Sequence, residues 1–161
     1  MDYVRVHEKY DNEWLKNDIA VIKVSKSIDL SQHTPVCLPR RNRKFVGSNA
    51  TVTGWGVKSY FEGSRYFPDV LQEVSLTIHD SDFCGLSKSS NTNGELCAGG
   101  SGVGICFGDS GGPLTVEGGE GRHTLVGVSS NVLKDPCDVN LPGYFADVSY
   151  YRDWIKEKTG I

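Results

Sequence analysis

The sequence predicts an all-β fold with one helix at its C-terminal end, on three observations. Glycine (19) and proline (6) are plentiful among 161 residues, a load that suits many tight turns. From residue 50 onward, short apolar and β-branched runs recur between turn-rich loops, the pattern of a barrel or sandwich. Only the tail carries a helical period, with Val148, Tyr151, Trp154 and Ile155 on one face.

Residues 3–10 and 18–24 read as two strands. The second, DIAVIKV, is apolar on both faces, as a buried strand is. Residues 31–48 carry Pro35, Pro39 and the run Arg40-Arg41-Asn42-Arg43-Lys44. They read as a crossing linker whose charges are solvated rather than as a nucleic-acid or heparin patch. Further strands are expected at 50–54, 70–78, 115–116, 124–129 and 144–148. A hairpin ahead of a linker is marginal by itself and leaves open edges. Residues 1–38 therefore either dock on the barrel that follows or form the end of a larger unit, and the sequence favours the second.

Composition narrows the function. Hydrophobic residues at 38% and charged residues at 23% allow a buried core. The balance of 17 basic against 20 acidic residues has the wrong sign for nucleic-acid binding. No apolar run is long enough for a membrane span, and residues 1–14 lack the basic-then-apolar order of a signal peptide. No cofactor motif occurs. The five cysteines, Cys37, Cys84, Cys97, Cys106 and Cys137, form no CxxC pair, and the scattered His7, His33, His79 and His123 add no zinc spacing. Two readings stay open: buried free thiols, or two disulfides with one cysteine left over, and spacing does not choose the pairing. Asn49-Ala50-Thr51 is an N-glycosylation sequon.

The strongest local signal is Gly108-Asp109-Ser110-Gly111-Gly112-Pro113. Glycines flank a serine on both sides, so the turn presents a hydroxyl beside converging backbone N–H groups, as an acyl-transfer nucleophile and its oxyanion hole require. The hexapeptide resembles the nucleophile loop of the trypsin/chymotrypsin family of serine proteases. Asn17-Asp18-Ile19-Ala20 resembles that family's catalytic aspartate motif, Thr34–Pro39 (TPVCLP) its crossing between barrels, and Thr53-Gly54-Trp55-Gly56 the opening of its second barrel. Leu96-Cys97-Ala98-Gly99, Pro142-Gly143-Tyr144 and Trp154-Ile155 follow in the family's order.

The resemblance implies a trypsin-like double antiparallel β-barrel with the active site in the cleft between the barrels. Residues 1–38 would be the last strands of the first barrel and the crossing, 39–148 the second barrel, and 149–161 the helix. Ser110 would be the nucleophile, Asp18 the acid that orients a histidine, and the N–H groups of Gly108 and Ser110 the oxyanion hole. Asp109 matches the acid that pairs with the new N-terminal amine of a cut zymogen, and Ser130 the serine that supports the aspartate and offers backbone to substrate. Gly104 matches the base of the primary pocket, where an aspartate would select Arg or Lys; Val132 and Gly143 match its walls. With Ile105 adjacent, the pocket should favour small to medium apolar side chains. Asn131 stands where the family usually has tryptophan. Cys84–Cys97 and Cys106–Cys137 match two of its disulfides, and Cys37 a cysteine that often tethers an upstream propeptide. Ala50 and Val116 replace both partners of a further bridge.

The family's histidine motif has no match here. The expectation is that a segment ahead of Met1 supplies the base, the activated N-terminus and a signal peptide, and that the chain as given is inactive. Implied partners are protein or peptide substrates and macromolecular protease inhibitors, in an extracellular setting. The alternative is a non-catalytic protease homologue acting as a binding or regulatory module. An esterase nucleophile elbow fits less well, because it expects a helix where Pro113 and a β-like run follow.

Overall fold

The computed structural model describes residues 1–86 and 94–161. Its centre is a curled antiparallel sheet of six strands in the order β6-β3-β8-β9-β10-β7. These are β3 (Asn49–Gly54), β6 (Gln72–Thr77), β7 (Glu95–Gly99), β8 (Pro113–Glu117), β9 (His123–Asn131) and β10 (Pro142–Asp147). The two outer strands meet beyond their ends: Ile78 bridges Ala98, and the His79 N–H donates to the Cys97 carbonyl at 3.0 Å. Inside the curl lie Ala50, Val52, Leu76, Ile78, Ala98, Ile105, Leu114, Val126 and Phe145, all at most 5% exposed. Ala50 occupies a place the resemblance marks for a lost disulfide, and here it is core.

Alternation in the sequence locates β3, β6, β8, β9 and β10 to within a few residues. Two features differ from expectation. The short strands β4 (Ser59–Phe61) and β5 (Ser64–Tyr66) pair as a separate hairpin. Its two-residue turn, Glu62-Gly63, has φ of 48° and 78°, the twist-compatible form that needs positive φ at both positions. β7, with the sequence ELCAG, is half-buried to fully buried throughout and so shows no alternation to read.

Strands β1 (Tyr3–Val6) and β2 (Ala20–Lys23) pair only with each other among the described residues. The expectation that residues 18–24 are buried on both faces is not met. Ile22 is 62% and Val24 51% exposed, because no second sheet covers that face. β1 also ends early, where Tyr10 and Lys9 N–H groups fold back onto His7. β2 begins late, after Leu15 and Asn17 bend through φ of 50° and 53°. The hairpin is held at its other face by α1 (Arg152–Thr159): the Tyr3 hydroxyl donates to the Lys158 carbonyl at 3.1 Å, and Ile19 joins Val148, Tyr151 and Ile155 in a second apolar cluster. The crossing segment then adds to β9, with the Cys37 N–H on the His123 carbonyl and the Leu125 N–H on the Cys37 carbonyl, both at 2.9 Å.

Among the described residues no helix is long and apolar enough to cross a membrane.

Candidate active site

The nucleophile loop is built between two anchors. The Asp109 N–H donates to the Cys106 carbonyl at 3.1 Å and the Gly112 N–H to the Asp109 carbonyl at 2.9 Å, which closes the turn around Ser110. The Gly111 N–H then donates to the Ser129 carbonyl, and the Ser129 N–H to the Gly112 carbonyl, at 2.8 and 2.9 Å. These bonds splice the loop into the β8–β9 ladder. Gly108 and Gly111 have φ of 98° and 79°, where a side chain would be strained.

Ser110 is exposed and lines a cavity of about 270 Å³ together with Ile105, Phe107, Ser130, Asn131 and Val132. Among the described residues, neither the Gly108 N–H nor the Ser110 N–H donates to a backbone acceptor. The Phe107 carbonyl accepts from the Val57 N–H at 2.8 Å. In a planar trans peptide the carbonyl and the following N–H point opposite ways. Val57 therefore fixes the direction of the Gly108 N–H.

The acid arrives from the other end of the chain. The Ser130 hydroxyl donates to Asp18 Oδ2 at 2.6 Å. Asp18 is half-buried, next to Asn17, whose Oδ1 accepts from the Tyr151 hydroxyl at 3.2 Å. Burial pushes the Tyr151 hydroxyl well above its ordinary pKa, with lesser pushes from Tyr150 and nearby carboxylates. A small cavity behind Asp18 is shared with Leu15 and Glu95. Burial pushes the Glu95 carboxyl up, and Lys16 pulls it back toward the charged form.

Asp109 points away from Ser110, into a separate cavity of about 530 Å³. Its Oδ1 accepts the Gly56 N–H at 2.8 Å and its Oδ2 the Cys106 N–H at 2.9 Å. A Cβ on Gly54 or Gly56 would overlap this carboxylate, so those two glycines make the space it occupies.

The structure thus brings Ser110, Ile105, Ser130, Asn131 and Val132 to one cavity and ties Asp18 to it through Ser130. Gly104 instead lines the Asp109 cavity. Gly143 is buried, and a Cβ there would overlap the Ile105 side chain. It shapes the pocket only by letting Ile105 settle into the core. Sequence reasoning missed Leu15 and Phe107, which also line the Ser110 cavity. Their only signal was proximity, three residues before Asp18 and one before Gly108.

No histidine lines that cavity. His7 packs on Tyr151 and Trp154, with ring centroids 5.5 and 5.0 Å away, and burial lowers its pKa. His79 stacks on Phe83 at 3.9 Å, while His33 and His123 are exposed. Cys84–Cys97 and Cys106–Cys137 are bonded and Cys37 is a half-buried free thiol. Asn49 opens β3 with its side chain exposed.

Known proteins are similar to this chain in sequence. The sequence profile of the Trypsin family matches residues 1–155. Serine protease filzig of Drosophila melanogaster is 35% identical over 98% of the chain and 10% of its own length. Transmembrane protease serine 11C of Mus musculus is 38% identical over 97% of the chain and 37% of its own length. Brachyurin of Leptuca pugilator is 35% identical over 97% of the chain and 66% of its own length. The chain thus spans between a tenth and two thirds of these relatives. With a glycine-framed serine at the head of β8, an aspartate tied to the β9 serine and a profile match along nearly its whole length, the chain belongs to the trypsin family of serine proteases.

Proposed function

We propose that this chain carries the nucleophile, oxyanion hole and orienting acid of a serine endopeptidase, and that its histidine base comes from outside these 161 residues. The observation that carries the reading is that, among the described residues, the Gly108 and Ser110 N–H groups meet no backbone acceptor in the loop that presents Ser110 to its cavity. In the proposed reaction Ser110 Oγ bonds to the substrate carbonyl carbon and gives its proton to the histidine. The carbonyl oxygen, now an anion, is held by the two N–H groups. The C–N bond breaks, the histidine protonates the leaving amine, and water then cleaves the acyl ester. Asp18, fixed by Ser130, orients the histidine.

The walls support a preference for small to medium apolar side chains before the scissile bond, because Ile105, Val132 and Leu15 contribute no charge. In the Asp109 cavity the carboxylate suits an amine, and we assign it the activation contact. Gly104, which also lines that cavity, would act on the primary pocket from behind. Cys37 would pair with a cysteine of a propeptide, Asn49 would carry a glycan, and the setting would be extracellular, with macromolecular protease inhibitors as further partners. By this reading the 161 residues alone have no useful proteolytic activity.

The test is labelling of the full-length protein by a fluorophosphonate, with peptide turnover alongside. Ser110→Ala should abolish labelling and cost about six orders of magnitude in kcat, the scale seen when the unrelated protease subtilisin loses its nucleophile. The lack of an imidazole at the Ser110 cavity favours a second reading, a non-catalytic binding module. A full-length protein that neither labels nor cleaves would establish it.

A further inference from the structure

The β4–β5 hairpin stands outside the six-stranded sheet, and the proposed chemistry makes no use of its side chains. Yet Arg65, on β5, contacts Phe107 of the Ser110 cavity and Asp135 at the same time. Its guanidinium carbon lies 4.1 Å from the centroid of the Phe107 ring. Its Nη2 donates to Asp135 Oδ2 at 2.6 Å. Phe107 lines the cavity, immediately before Gly108. Asp135 lies three residues after Val132, which lines the same cavity just beyond the end of β9. One planar cation therefore ties Phe107 to the segment that follows Val132, two stretches that both contribute to the cavity wall.

The hairpin that carries Arg65 is itself fixed. The Tyr60 hydroxyl lies 3.5 and 3.6 Å from the sulfurs of Cys106 and Cys137 and accepts the Cys137 N–H at 3.5 Å. The Lys58 N–H donates to the Tyr66 carbonyl at 2.9 Å. From this anchored hairpin Arg65 sits over the Phe107 ring and bonds Asp135 through Nη2. A guanidinium can do both at once, whereas an ammonium is a compact point charge with no flat face.

We propose that Arg65 is a positioning residue for this site, and that the Asp135–Arg65–Phe107 strap sets the width of the cavity mouth and so selects short apolar side chains over aromatic ones. The proposal rests on the endopeptidase reading and adds a device that reading does not contain. Arg65 does not touch the reacting atoms; it acts through the Phe107 ring. Both the stack and the ion pair are partly exposed, with Arg65 at 40% and Asp135 at 56%, so losing them should leave the fold intact and move selectivity.

The experiment compares kcat and KM for paired peptides that differ only in Val or Phe before the scissile bond, using the full-length protein. Arg65→Ala should lower the Val-to-Phe ratio of kcat/KM by about threefold to tenfold, mainly through KM. Asp135→Asn should shift the ratio the same way, and the double variant should do no more than the stronger single one, since both break one strap. Arg65→Lys should fall between parent and Arg65→Ala. General destabilisation would lower both peptides together and leave the ratio alone. A ratio unmoved in both Arg65→Ala and Asp135→Asn overturns the strap while the peptidase reading stands, and Arg65→Lys behaving as parent overturns its planar basis. A parent protein that neither labels with fluorophosphonate nor cleaves either peptide overturns the peptidase reading instead.

Discussion

Gly56 has no side chain for a reason that lies at the other end of the nucleophile loop. The Asp109 carboxylate fills the space a Cβ would need and takes the Gly56 N–H as well. Gly56→Ala should therefore cost about 1–3 kcal/mol in urea unfolding. It should also slow fluorophosphonate labelling, because displaced Asp109 is next to Ser110. The GDSGGP run was legible because glycine, acid and serine at fixed offsets describe a turn and its chemistry together. The role of Gly143 was not, since a glycine names no neighbour and only the fold shows Ile105 resting on it. For the same reason Gly104 read as a pocket base, while its place is on the Asp109 cavity.

Helix α1 fastens the N-terminal hairpin through a polar clasp in which Glu8 is exposed and Trp154 and Lys158 are half-buried. Glu8 accepts from the Trp154 indole N–H at 2.9 Å and pairs with Lys158 at 2.6 Å. The Lys158 and Trp154 hydrogen bonds bring the Glu8 carboxyl from 4.5 down to about 2. Its folded pKa lies below its unfolded value, so the contribution is complete above about pH 4.5 and is lost as pH falls toward 2. The Trp154 indole N–H resonance should track that loss, and Glu8→Gln should remove the acid-range titration. At the far side of the barrel, Cys84 and Cys97 close a loop with a sequence separation of 13. Replacing both with alanine should cost about 3 kcal/mol in thermal unfolding by the loop-entropy estimate. At this scale the tail helix was legible from its apolar stripe. The β4–β5 hairpin was not, because its turn uses Glu62 where Asn or Asp would have announced it.

The whole molecule has an uneven distribution of buried surface. The six-stranded barrel encloses its apolar residues, while one face of the β1–β2 hairpin presents Val4, Val6, Ile22 and Val24 to solvent. Val4 and Ile22 face each other in register, so they form one contiguous strip beside unpaired strand edges. The 161-residue polypeptide expressed alone should self-associate in sedimentation velocity, and Val4→Lys with Ile22→Lys should shift it to monomer. The apolar pattern of DIAVIKV was read correctly as a pattern. Its burial was not, since period and hydrophobicity specify a face that wants cover and say nothing of what covers it. Fold class and family were legible across nearly the full length. The base was not, because no residue in the sequence resembles its motif.

Ser110 and the cavity walls at Asn131 and Val132 hang from the same ladder, locked by the reciprocal Gly111–Ser129 and Ser129–Gly112 bonds. The ladder is made of main chain, so replacements at Asn131 and Val132 remove none of these bonds. A lineage built on this frame can drift in what it recognises, one wall residue at a time, while the aim of the serine is inherited unaltered.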